Sequence, residues 1–144
     1  MSNVSDLSKG DGIRSGKQYL EDLRDDRDIW IHGEKVKDVT THPGLFRGAE
    51  TLAGFLDRQF DDQYKDTVTY QEDGATYATS FMIPKSVDDI RKRGESAYEW
   101  ARWSNGMFGR TPDYKNASVM AFAASAKFLE EGRPEFAENM RNYY

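Results

Sequence analysis

The 144 residues include no cysteine and only two histidines. Without cysteine there can be no disulfide, no iron–sulfur ligation and no thiolate metal site. With His32 and His42 the only imidazoles, a histidine-rich metal centre is excluded as well. No apolar run approaches the roughly 20 residues that cross a bilayer. The polar opening Met1–Asp11 also lacks the apolar segment of a signal peptide, so no membrane role is expected and the cytoplasm is the expected location. No cluster of Lys and Arg is dense enough to follow a phosphate backbone, so nucleic acid is not an expected partner. No Gly-rich phosphate loop follows a strand pattern, no serine elbow is present, and no internal repeat appears.

What the chain does have is aromatic residues. Eight Phe, eight Tyr and three Trp make up 13% of the residues and bury much area with few side chains. Charged residues account for 31% and the net charge is -5, an ordinary surface with a mild acidic bias. The length is that of one domain, enough to bury a core unaided.

Residues 1–12 have almost nothing to bury and read as a loose tail; the structured domain is expected over 13–144. Ser15 and Gln18 have the spacing of a capping box opening a short helix with Tyr19, Leu20 and Leu23 on one side. Ile29–His32 and Lys35–Val39 read as a small hairpin turning at Gly33-Glu34. Thr41-His42-Pro43 reads as a helix start, followed by an apolar face of Leu45, Ala49, Leu52, Leu56 and Phe60 to about Asp62. Between Thr67 and Ile83 the period changes to two, and Asp73-Gly74 marks a second hairpin. Ser86-Val87-Asp88-Asp89 opens a helix with a stripe of Val87, Ile90, Gly94, Ala97, Ala101 and Phe108, flanked by Tyr98 and Trp103. Thr111-Pro112 then caps and starts another. From Ala117 to Leu129 that helix is apolar on most sides, including Met120, Phe122 and Phe128, so it is expected to be surrounded by others. A last helix from about Pro134 carries Phe136, Met140, Tyr143 and Tyr144 without a stop signal, which leads us to expect further protein beyond it. The fold class expected is mainly α with two small β-hairpins.

Little of this carries chemistry on its own. The carboxylate pairs Asp25/Asp26, Asp61/Asp62, Asp88/Asp89 and Glu130/Glu131 all fall at turns or helix ends, where acids serve helix dipoles and solubility. His42 reads as part of a helix start and His32 as an exposed turn residue. The segment that stands out is Gly106–Asn116, where Arg110 sits just before a helix start and Tyr114 lies one turn inside. A cation and a phenol beside the positive end of a helix suit an anionic or phenolic ligand. On the residues alone, the plainer reading is the stronger one: a glycine-punctuated loop whose arginine pairs with a nearby acid.

Three blocks change that weighting. Residues 16–20 (Gly-Lys-Gln-Tyr-Leu) with 28–43 (Asp-Ile-Trp-Ile-His-Gly-Glu-Lys-Val-Lys-Asp-Val-Thr-Thr-His-Pro) resemble the opening of the 4-hydroxyphenylacetate 3-monooxygenase oxygenase-component family. Residues 107–117 (Met-Phe-Gly-Arg-Thr-Pro-Asp-Tyr-Lys-Asn-Ala) resemble a later motif of the same family, and 139–144 (Asn-Met-Arg-Asn-Tyr-Tyr) the close of its first domain. The resemblance implies the N-terminal helical domain of an acyl-CoA-dehydrogenase-like flavin monooxygenase, with the middle β domain and C-terminal helical domain absent from this chain. It implies FAD, delivered as FADH2 by a separate flavin reductase, with O2 as co-substrate and a phenol hydroxylated ortho to its hydroxyl to give a catechol. It further implies the remainder of the oxygenase chain as a partner and a homo-oligomer in the full-length form.

The family's active-site arginine and tyrosine fall on Arg110 and Tyr114. The cation would favour the phenolate of a substrate whose pKa in water is about 10, and Tyr114 would hydrogen-bond the same oxygen. The resemblance gives no cofactor-binding residue and no metal. The family's active-site histidine and most flavin contacts lie beyond Tyr144, so these residues alone are expected to be inactive. A stand-alone helical binding or oligomerisation domain, and a chlorophenol monooxygenase relative, are the alternatives. A 4-hydroxybutyryl-CoA dehydratase is set aside because its cluster needs cysteines.

Overall fold

The structure is a computed structural model that describes residues 12–107 and 112–144, the side chains of 112–114 excepted. The expected tail therefore lies outside the described residues save for Gly12, as do Phe108 and the expected cap Thr111. The chain divides into two compact units, Met1–Lys65 and Asp66–Tyr144.

In the first unit, helix α1 (Gly16–Asp22) begins at the capping box read from the sequence. Ser15 Oγ accepts from the Gln18 N–H at 3.2 Å, and Gln18 Oε1 accepts from the Ser15 N–H at 2.7 Å. Strands β1 (Trp30–Ile31) and β2 (Glu34–Lys35) form a short antiparallel hairpin. Its turn falls on His32-Gly33 rather than on Gly33-Glu34. His32 takes φ 51° and Gly33 φ 83°, the pair of left-handed residues that matches the right-handed twist of two strands.

Helix α2 (Phe46–Asp57) starts later than expected, with Leu45 at its N-cap position and no side-chain cap. Pro43 lies in a turn ahead of it. There the Asp38 carbonyl accepts from the Thr41 and His42 N–H groups, and the His42 carbonyl accepts from those of Leu45 and Phe46. Arg58–Phe60 extends α2 as a 3-10 turn. Helices α1 and α2 meet at Gly16, where a Cβ would lie 2.4 Å from the Ala53 carbonyl oxygen. In that contact the Gly16 N–H donates to Asp57 Oδ1 at 2.7 Å.

In the second unit, a short helix α3 (Lys65–Val68) leads into strands β3 (Thr69–Glu72) and β4 (Ala75–Ala78). They pair antiparallel from Thr69↔Ala78 to Glu72↔Ala75, with Asp73 at φ 51° and Gly74 at φ 82° in the turn. Thr79–Phe81 follows as a 3-10 turn. Helix α4 (Val87–Trp103) opens on a capping box of Ser86 and Asp89 and ends where Asn105 and Gly106 turn left-handed. Its buried residues are Ser96 and Trp100, while Val87 and Ile90 of the expected stripe, and Tyr98 expected beside it, face outward. Gly94 is exposed and Ala97 and Ala101 are half-buried, so the buried face is rotated about one residue, roughly 100°, from the apolar face read in the sequence.

Helix α5 (Pro112–Ala124) has Pro112 first, as expected. The expected continuous helix to Leu129 is interrupted at Ser125 and resumes as α6 (Ala126–Leu129). Phe122 is 62% exposed and Phe128 72% exposed, so the segment is not surrounded on all sides. It buries instead through Met120 and the small Ala126, while Ala137 anchors helix α7 (Pro134–Tyr143). The result is mainly α with two small antiparallel hairpins, the fold class the sequence implies.

Candidate functional site

Arg110 lies outside the described residues, and for Tyr114 the structure describes the backbone alone, at the third position of α5. What the structure does show is how the start of α5 is held, and the answer centres on the turn Thr79–Phe81 after β4. Such a turn leaves carbonyls that neither a strand ladder nor a helix satisfies, and buried polar backbone needs partners. Thr79 is fully buried and Ser80 nearly so.

Three elements supply the partners. From α4, Arg93 Nη1 donates to the carbonyls of Thr79, Ser80 and Met82 at 3.1, 3.0 and 2.7 Å. From α5, Asn116 Nδ2 donates to Ser80 Oγ at 3.0 Å. At the end of α7, the Tyr144 hydroxyl donates to the Phe81 carbonyl at 2.5 Å, and its ring meets Phe81 edge-on with centroids 6.2 Å apart. Thr79 Oγ1 in turn donates to the Thr67 carbonyl at 3.0 Å, tying the turn back to the start of the hairpin. Beside it, Tyr70 and Tyr77 face each other across β3 and β4 with centroids 5.7 Å apart. Burial, and then the neighbouring Tyr144 hydroxyl, push the Tyr70 phenol above its ordinary value. Tyr70 is thus held neutral rather than poised as a base.

The remaining titratable groups that the sequence singled out do structural work. Asp25 is bound by Arg27, whose side chain and N–H hold its carboxyl below the usual range. Asp61 pairs with Arg58 at 3.6 Å, Asp62 with Lys65 at 2.6 Å, and Glu130 with Arg141 at 3.2 Å. Asp88 pairs with Arg91, and Asp89 caps α4, its carboxyl held low by the N–H of Lys85. Surface pairs of this kind contribute little each. His42 Nδ1 accepts from the Gly44 N–H at 3.1 Å, as a turn residue does, and His32 is exposed at its hairpin tip. No group of three His, Asp or Glu placed to hold a metal occurs among the described residues, and none of their helices is long and apolar enough to cross a membrane.

The residues that sequence reasoning missed are Arg93 and Ser80. Arg93 lies on a helix that is read by its apolar stripe alone, and Ser80 in a hairpin segment that reads as closing at Pro84. Asn116 lies inside the segment the sequence did single out. Together they hold the helix on which Tyr114 stands, beginning with Pro112 at the end whose N–H groups carry a partial positive charge. A phenolate oxygen is the type of group such an end attracts.

The oxygenase component of 4-hydroxyphenylacetate 3-monooxygenase from Thermus thermophilus is 47% identical over 133 residues, covering 91% of this chain and 27% of that protein. A Streptomyces globisporus monooxygenase, named for a 3-chloro-4-hydroxyphenyl amino acid on a peptidyl-carrier protein, is 38% identical over 145 residues, covering 99% of this chain and 27% of its own. Among solved structures, the oxygenase component complexed with FAD and 4-hydroxyphenylacetate superposes with a TM-score of 0.84 at 45% identity, over 91% of this chain and 27% of that one. That neighbour has the acyl-CoA-dehydrogenase-like fold the resemblance implied. The chain thus spans about a quarter of the length of these relatives. Because the family model for the 4-hydroxyphenylacetate 3-hydroxylase N terminus matches residues 15–144, the chain belongs to that family.

Proposed function

We propose that this chain is the part of a two-component flavin monooxygenase that grips the phenol, in an enzyme hydroxylating 4-hydroxyphenylacetate or a related phenol ortho to its hydroxyl. The observation that carries the reading is the likeness, at 45% identity, to an oxygenase component seen with FAD and 4-hydroxyphenylacetate together. Reduced FAD from a separate reductase supplies two electrons with O2, one oxygen atom entering the ring and the other leaving as water.

What the chain itself does is bind and orient. Arg110, a fixed cation, stabilises the phenolate over the phenol and makes the ring more electron-rich. Tyr114 hydrogen-bonds the same oxygen and sets the direction of the ring. The oxygenase works in the cytoplasm, with a flavin reductase and the remainder of an oxygenase chain as partners, as a homo-oligomer.

The test joins these residues to the remaining segments of the Thermus thermophilus relative and supplies reduced FAD from a reductase. The joined protein should bind 4-hydroxyphenylacetate and release a catechol. Arg110→Met should lower kcat/KM by about 10 to 1000-fold, the span of a phenol pKa shift of 1–3 units, with Arg110→Lys in between. Wild-type turnover by Arg110→Met, or no phenol binding by the joined protein, refutes the reading.

A second reading, a helical binding or oligomerisation domain, draws on the exposed Phe122, Phe128 and Tyr143. Catechol formation separates the two: this reading requires stable self-association or partner capture, seen by sedimentation, in a joined protein that forms no catechol.

A further inference from the structure

We propose that Arg93 is a positioning residue for phenol hydroxylation, acting through Ser80 and Asn116 on the helix that carries Tyr114. The proposal rests on the phenol-gripping role assigned above to that helix. Its first support is geometric. One guanidinium nitrogen gathers three carbonyls, of Thr79, Ser80 and Met82, at 2.7–3.1 Å. Because a single Nη1 has two protons, these bonds are shared, and they hold the chain in one tight path rather than fixing any one carbonyl. The path it fixes is the one that presents Ser80 Oγ to Asn116 Nδ2.

The second support is where Asn116 stands: two residues after Tyr114 on α5. A helix is stiff over one turn, so a side-chain bond at Asn116 sets both the rotation of α5 about its axis and its advance along it. The third is burial. Thr79 and Ser80 are at most 4% exposed while Arg93 and Asn116 are half-buried, so the turn that links the two side chains lies in packed interior, where it cannot drift without opening a void. Surface arginines of this unit behave differently: Arg91, Arg102 and Arg141 bind carboxylates. Arg93 reaches instead to the carbonyls of a distant segment.

Misplacing a phenol need not stop flavin oxidation. Without a ring in place, FADH2 and O2 yield FAD and H2O2, so the ratio of catechol to peroxide reports positioning when it is read in a single turnover with folded oxygenase in excess over FADH2, which keeps free FADH2 from giving peroxide in solution. In the joined oxygenase, Arg93→Met, Ser80→Ala and Asn116→Ala should each raise the KM for 4-hydroxyphenylacetate by about fivefold, the effect of one net hydrogen bond. Each should also shift product from catechol to peroxide, and Arg93→Lys should recover part of the loss. Ser80→Ala with Asn116→Ala should be no worse than either alone, since both remove one bond. An unchanged catechol-to-peroxide ratio in all of them, with wild-type coupling intact, overturns the proposal while leaving the proposed function standing.

If the joined wild type binds no phenol, the function fails, and the relay is judged on the 144-residue chain by hydrogen exchange. Arg93→Met should then speed exchange of the α5 amides at 115–118 about tenfold without changing β3 and β4. Unchanged exchange there overturns it.

Discussion

Gly16→Ala tests the packing of the first unit most directly. The added Cβ would lie 2.4 Å from the Ala53 carbonyl oxygen, 2.7 Å from its carbon and 2.8 Å from Asp57 Oδ2. Two of those atoms are α2 backbone, so no side-chain rotation relieves them. Forcing the contact costs about 1–3 kcal/mol, as overpacking does. Moving α1 away to avoid it stretches the Gly16 N–H bond to Asp57, a bond to a charged acceptor worth about 1.5–3 kcal/mol. Alanine returns up to about 1 kcal/mol through the unfolded chain, so by either route the expected net loss is about 0.5–3 kcal/mol. Gly48→Ala and Gly54→Ala are the controls: both glycines are exposed on α2 with open space where a Cβ would stand, and alanine there should stabilise by about 0.5–1 kcal/mol. Urea unfolding followed by circular dichroism gives all three values. Should Gly16→Ala fall within about 0.5 kcal/mol of wild type, or track the controls, the close approach of α1 to α2 is wrong.

Four further outcomes follow from the same geometry. Ser96 Oγ is buried without a hydrogen-bond partner among the described residues, so Ser96→Ala should leave stability unchanged or raise it by up to about 1 kcal/mol; a loss larger than that in thermal unfolding contradicts it. Ser86→Ala removes the hydroxyl that caps α4 and should cost about 1 kcal/mol, measured by the same melts. The carboxyls of Asp25, Asp38, Asp62 and Asp89 are all held below their ordinary value, so the stability they contribute is complete above the unfolded value of about 4 and is lost as pH falls through their lower folded values. Urea midpoints taken from about pH 5 downward should therefore drop, and a flat profile refutes this. Tyr70 is raised in the fold, so its contribution is present below about pH 10 and is lost as pH rises past that toward the folded value; Tyr70→Phe should remove that alkaline component of the unfolding curve.

Local features were the legible ones. Ser15 with Gln18, Asp73 with Gly74 and Pro112 at a helix start each act within a few residues, and each appears where the sequence places it. The first hairpin slipped by one because histidine rarely takes a left-handed φ, yet His32 does so at 51°. Pro43 misled because a proline allowed in a first helical turn is also suited to the turn that precedes one. Periodicity did less well on α4. It finds the helix but assigns the wrong face: Val87, Ile90 and Gly94 of the apolar stripe are exposed, whereas the structure buries Ser96 and turns Arg93 onto carbonyls.

That error has a general cause, and it explains why the support of the candidate site was not visible. An apolar stripe is a record of side chains that gain from burial, whichever surface covers them; Phe122 and Phe128 stay exposed although their segment is apolar. A polar relay leaves even less trace. Arg93 binds the carbonyls of Thr79, Ser80 and Met82, and every residue has a carbonyl, so no letter at those positions announces the partner. Only Ser80 and Asn116 are written in side chains, and 36 residues separate them. A motif such as Gly106–Asn116 can therefore show which groups would meet a ligand while the contacts that aim them remain hidden until the fold is known. The relay makes that division testable: substitution of Arg110 should change affinity and pH dependence, and substitutions at Arg93, Ser80 and Asn116 should, beyond their modest rise in KM, change how faithfully each turnover ends in a catechol.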